Sequence, residues 1–88
     1  MEIIKRAIAG TLESSDAYVE IEPNAQGIRC ELESVVEQQF GDNIRGLVEE
    51  ILAGCGVKNA KIHIIDRGAL ECVIRARVEA AVMRGKGE

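Results

Sequence analysis

Ile44, Leu47, Val48, Ile51, Leu52 and Cys55 recur at the spacing of one helix face, with Glu49 and Glu50 opposite and Gly54 and Gly56 at the end. This stripe constrains the fold because of what flanks it. Before it, Ile28, Cys30 and Leu32 alternate with Arg29, Glu31 and Glu33; after it, in residues 60–66, Ile62 and Ile64 alternate with Lys61, His63 and Ile65. Strand, helix and strand in that order set the two strands parallel, joined by a right-handed crossover. The spacing predicts a helix start near Gly41, with Asp42 or Asn43 as N-cap, while Ser34-Val35-Val36-Glu37 matches a capping box that would start it earlier.

Ahead of this unit, Ile8, Gly10 and Leu12 lie on one side of an extended segment, and Ala17, Val19 and Ile21 alternate with Tyr18, Glu20 and Glu22. Between them Glu13-Ser14-Ser15-Asp16 has turn composition, since Ser and Asp side chains bond nearby backbone. Pro23-Asn24 ends the second run and Gly27 allows a further reversal. Past the fourth strand, Asp66-Arg67-Gly68 opens a last helix in which Leu70, Val73, Ile74, Ala81 and Val82 share a face. The expected order is βββαβα. The fold class is α+β in two layers: a small mixed four-stranded sheet covered on one face by two helices, with Ile44, Leu47, Ile51, Val73 and Ile74 buried. A chain of 88 residues allows one domain, 1–88, with 84–88 a frayed tail.

The core must be aliphatic, because the chain has one Phe, one Tyr and no Trp. That leaves no platform for stacking bases, and a net charge of −4 opposes a phosphate backbone. Residues 1–66 hold six Lys or Arg against twelve acids, net −6, and residues 67–88 hold five against three, net +2. Cations late in a final helix suit its dipole, and they also offer a docking surface. Cys30, Cys55 and Cys72 are odd in number and lack a C-x-x-C pair, which reads as reduced core thiols in a cytoplasmic protein. No apolar run approaches the ~20 residues of a membrane helix.

Catalytic patterns are absent. His63 has no triad or metal-ligand spacing around it and reads as a surface or edge histidine. No cysteine has a paired base, and Glu13 with Asp16 is a turn pair without a pocket to separate their pKa values. The nine glycines form neither G-x-G-x-x-G nor G-x-x-x-x-G-K. These residues suit a binding or carrier subunit better than an enzyme.

AGTLESSD at 9–16, VEQQFGDNI at 36–44 and DRGALECVIRARVEAA at 66–81 together resemble the acyl carrier subunit of citrate lyase, its gamma chain. The resemblance covers nearly the whole chain. It implies that the serine of the T-L-E-S block, here Ser14, carries a phosphoribosyl-dephospho-coenzyme A group through a phosphodiester. Ser14 would be an anchor and not a nucleophile, with Ser15 beside it a second candidate acceptor. The resemblance implies as partners an alpha subunit that exchanges carrier-bound acetyl for citrate, a beta subunit that cleaves the citryl thioester to oxaloacetate, and a prosthetic-group transferase. The chain itself would be noncatalytic. It does not resemble the helical-bundle acyl carrier with its Asp-Ser-Leu motif. The alternatives are the carrier subunit of malonate decarboxylase, which bears the same type of group, and a scaffold module that receives no cofactor.

Overall fold

A computed structural model of the protein describes residues 2–34 and 37–87, and the side chains of all of these except 37–41. The elements are β1 (Ala7–Gly10), β2 (Ala17–Glu22), β3 (Ile28–Ser34), α1 (Glu37–Gly54), β4 (Ala60–Asp66) and α2 (Glu71–Gly85). They form a sheet of order β1-β2-β4-β3. β1 pairs antiparallel with β2, β2 antiparallel with β4, and β3 parallel with β4. The α+β class, the element order and the parallel crossover pair are as expected from the sequence.

Alternation sorts the sheet into two faces. Ala17, Val19 and Ile21 of β2 and Ala60, Ile62 and Ile64 of β4 are fully buried; α2 packs over β1 and β2, while α1 packs against β3 and α2. From α1 come Ile44, Leu47, Val48, Ile51 and Leu52, and from α2 Ile74, Val78, Ala81 and Val82. Each large aliphatic side chain fully buried here contributes roughly 1.5–3 kcal/mol. The other face is open and polar: the Tyr18 hydroxyl donates to Glu20 Oε1 (2.7 Å), which also accepts from Arg6 (2.8 Å).

Several local expectations are corrected. β1 turns Ala7 and Ala9 inward and leaves Ile8 exposed, because pairing sets Ala7 opposite Ile21 and Ala9 opposite Val19, the inward residues of β2. α1 begins at Glu37, with Gly41 inside it; a glycine within a helix costs only about 1 kcal/mol, which the buried stripe outweighs. Ser34 ends β3, and Val35 and Val36 of the capping box lie outside the described residues. α2 begins at Glu71, not at Asp66, because Asp66 ends β4 and its carboxylate accepts the Gly68 and Ala69 amides (3.1 and 2.8 Å) in a turn. The buried face of α2 is Ile74, Val78, Ala81, Val82 and Gly85, so Val73 is only half-buried and Leu70 is 71% exposed.

Residues 84–86 are not frayed. The Gly85 carbonyl accepts the Ile4 and Lys5 amides (2.9 and 3.2 Å), and Lys86 Nζ donates to the Cys55 carbonyl (2.5 Å). The three cysteines are free thiols, but Cys30 and Cys55 are half-buried and Cys72 is exposed. His63 is on an interior strand, not an edge: it lies half-buried on the open face opposite Glu20 and Glu31, its Nε2 2.7 Å from Glu33 Oε2.

Strand direction divides the molecule into two poles. β1, β3 and β4 end, and α1, α2 and β2 begin, at one pole, where the 11–16 connection and the 67–70 loop meet.

Candidate functional site

Gly10 starts the reversal between β1 and β2 at φ 87°, a backbone region open to glycine and strained for other residues. A Cβ there would lie 1.8 Å from the Ala17 carbonyl oxygen, so the two strands close tightly behind the turn. Within it, the Thr11 hydroxyl donates to Asp16 Oδ2 (2.6 Å) and accepts the Glu13 amide (3.2 Å). The Asp16 amide donates to the Glu13 carbonyl (3.2 Å), and Asp16 Oδ1 accepts the Ala17 amide (2.7 Å). The turn is therefore ordered by its own side chains, as turn chemistry predicts.

Two further contacts fix it to the body. Arg77 of α2 donates from Nε to Asp16 Oδ1 (3.0 Å) and from Nη2 to Oδ2 (3.2 Å), a two-pronged pairing. The bonds from Arg77, then from Thr11 and the Ala17 amide, hold the Asp16 carboxyl well below the usual carboxylate range. The β2–β4 ladder also continues past its strands: the Ser15 amide donates to the Arg67 carbonyl (2.8 Å) and the Arg67 amide to the Asp16 carbonyl (2.9 Å). Asp16 is thus a fixed anion and not half of an acid–base pair.

Ser14 and Ser15 sit exposed at the crest of this frame. Among the described residues neither hydroxyl has a hydrogen-bond partner. They differ in backbone: Ser15 is held at φ 66°, with its amide bonded to Arg67, whereas Ser14 has no such constraint. Exposed, ordered on both sides and uncommitted, the Ser14 hydroxyl can be reached by a second protein and esterified without loss of an internal bond. Sequence reading singled out the serines but missed Gly10, Thr11, Arg77 and Arg67 as their supports. Asp16 and Arg77 are 61 positions apart, and no local pattern links them.

At the same pole a groove of about 620 Å³ runs between the helices, with Ile44, Leu47 and Ile74 for apolar walls and Asp42, Glu50 and Glu71 at its rim. Asp66 at its end is 2% exposed and accepts the Ser34 hydroxyl (2.7 Å). Among the described residues no group of His, Cys, Asp and Glu could hold a metal ion, and no helix is long and apolar enough to cross a membrane.

Comparison with known proteins shows the family to which this fold and turn belong. A family profile described as malonate decarboxylase delta subunit, an acyl carrier family, matches residues 4–85. A citrate lyase acyl carrier protein of Escherichia fergusonii is 61% identical over 85 residues, covering 96% of this chain and 88% of that protein. The chain belongs to the citrate lyase acyl carrier protein family. A member from Streptococcus equi subsp. zooepidemicus is 53% identical over 88 residues, covering 99% of this chain and 86% of its own. The fold of the family is seen in a chain of a crystal structure described as a Pseudomonas malonate decarboxylase hetero-tetramer in complex with malonate. That chain is 27% identical, with a TM-score of 0.80 over 91% of this chain and 82% of its own. The protein is accordingly an acyl carrier of the citrate lyase kind, and the carriers of this family hold a prosthetic group.

Proposed function

We propose that Ser14 is the attachment point of this carrier and that the group it takes is phosphoribosyl-dephospho-coenzyme A, joined to the serine oxygen as a phosphodiester. The observation that supports this reading is the uncommitted, exposed Ser14 hydroxyl on a turn whose other hydrogen-bonding side chains, Thr11 and Asp16, are tied down. The residues fit such a group because nothing must be unmade to receive it. When bound, the group supplies a terminal thiol as the acyl-bearing atom. The chain's own contribution is positional: Gly10, Thr11, Asp16 and Arg77 hold the anchor rigid while the arm beyond it swings. Tethering makes encounters with successive active sites intramolecular, at high effective concentration.

In this reading the chain is noncatalytic. Its partners are a citrate lyase alpha subunit that exchanges acetyl for citrate on the carrier, a beta subunit that cleaves the citryl form, and the transferase that loads it, all in the cytoplasm. Ser14→Ala tests the anchor. As an exposed substitution it changes stability by no more than about 0.5 kcal/mol. Co-expression with the transferase should give no mass increase, and citrate cleavage with the other subunits should vanish. Modification of Ser14→Ala would move the anchor to Ser15, and a parent chain that is never modified would favour the scaffold reading. The match to a malonate decarboxylase profile supports a second substrate, separated by assaying the loaded carrier with citrate and with malonate subunits.

A further inference from the structure

The 11–16 turn carries two carboxylates, Glu13 and Asp16, at the point where an anionic group would be joined. Arg77 balances only one of them, since its guanidinium is bound to Asp16. Of the other cations in the basic C-terminal segment, Arg84 donates to the Ile8 carbonyl (2.8 Å) and Lys86 to the Cys55 carbonyl, while Arg75 is half-buried on α2 with no bond to the 11–16 turn. Arg67 is different. Its side chain is exposed and has no partner among the described residues, yet its backbone is bonded to both Ser15 and Asp16. The ladder therefore fixes the Arg67 backbone beside the turn that carries Ser14, and leaves its side chain uncommitted at that pole. On the groove side of the same pole Asp42, Glu50 and Glu71 repel anions.

We infer that Arg67 is an anion clamp for the arm: its guanidinium pairs with phosphate oxygens close to the serine, offsets Glu13, and sets the direction in which the arm leaves the turn. This rests on the reading that a phosphate-bearing group is joined at Ser14. A guanidinium suits the role because its donors match phosphate in two-pronged geometry and it stays charged at all working pH values. Arg67 is a positioning residue, acting on the arm's phosphates and not on the acyl end.

The test uses the loaded carrier, with Arg67→Gln set against Lys58→Gln. Lys58 is an exposed cation just before β4, at the far pole, and its loss changes net charge equally. Phosphorus NMR of each loaded protein is recorded between about 0.01 M and about 1 M salt, over which the screening length falls from roughly 30 Å to roughly 3 Å. In the parent and in Lys58→Gln the phosphodiester resonance should move with salt; in Arg67→Gln it should stay at the high-salt position throughout. Intact-mass time courses should show transfer to Arg67→Gln slowed about two- to fivefold at low salt, the scale of an exposed ion pair. Matching circular dichroism melts show that Arg67→Gln is folded. A resonance in Arg67→Gln that tracks the parent overturns the clamp. So does Lys58→Gln behaving like Arg67→Gln, which would mean bulk charge. Slowed transfer with an unaltered resonance assigns Arg67 to the transferase contact and also overturns it. A parent that gains no mass defeats the anchor reading itself, and the clamp with it.

Discussion

Gly10→Ala and Gly46→Ala add the same methyl group and should act in opposite directions. At Gly10 the new Cβ would sit 1.8 Å from the Ala17 carbonyl oxygen and 3.1 Å from Arg77 Cδ, on a backbone at φ 87°. The left-handed backbone alone costs an alanine roughly 1–2 kcal/mol. Relieving the clash means moving backbone, which breaks the pairing at Gly10 and Tyr18, with one or two hydrogen bonds at about 1 kcal/mol each. The loss should be about 3 kcal/mol, or roughly 12–24 °C in Tm for a domain of this size. Gly46 lies exposed inside α1 with nothing within 4 Å of an added methyl, so alanine there should stabilise by about 1 kcal/mol through helix propensity. Urea unfolding followed by circular dichroism measures both. Because the Gly10 methyl also meets Arg77, the same variant should load more slowly than the parent. A Gly10→Ala protein that loses less than about 1 kcal/mol would refute the claim that this contact shapes the turn.

Ser15→Gly should remain a substrate for loading and be unchanged or up to about 1 kcal/mol more stable, since Ser15 is held at φ 66°; a clear loss in a urea melt would contradict this. The Asp16 carboxyl is lowered by Arg77 and Thr11, so its contribution is complete above the unfolded value near 4 and is lost as pH falls below it. Asp16→Asn should therefore flatten the acid limb of stability against pH, and parallel limbs in parent and variant would rule this out. Among the thiols, a maleimide should label exposed Cys72 first and Cys30 last, because burial pushes the Cys30 thiol up; peptide mass mapping reports the order.

Local periodicity made the α1 stripe, the β4 alternation and the parallel β3–β4 pair legible in the sequence, because each is contained within one element or one crossover. The inward face of β1 was not legible. Ile8 and Leu12 outweigh Ala7 and Ala9 in apolar size, and only the register against Val19 and Ile21 decides which pair turns in. The α2 face was misread for a related reason: Leu70 and Val73 continue a helical stripe on paper, but the Asp66 turn delays the helix and Ile74 with Val78 takes the core. Of the site, composition showed a turn with two hydroxyls, while the proposal of Ser14 as anchor came from the three-block resemblance. The pairing of Asp16 with Arg77, and the backbone bonds that bring Arg67 alongside, span the length of the fold and leave no local trace.

The Ile4 and Lys5 amides bonded to the Gly85 carbonyl make the chain almost a closed ring. Ile3 lies against Gly85 so closely that a Cβ there would be 3.2 Å from its methyl group, which fastens the clasp with packing as well as hydrogen bonds. The clasp is at the opposite pole from Ser14, beside the 23–27 loop and the start of β4. A short linker from residue 87 to residue 2, with the backbone opened between Asn24 and Gln26, would therefore yield a circular permutant whose new ends emerge away from Ser14. By the same geometry, a dye or surface tether placed at this pole leaves the 11–16 turn at the other pole unobstructed.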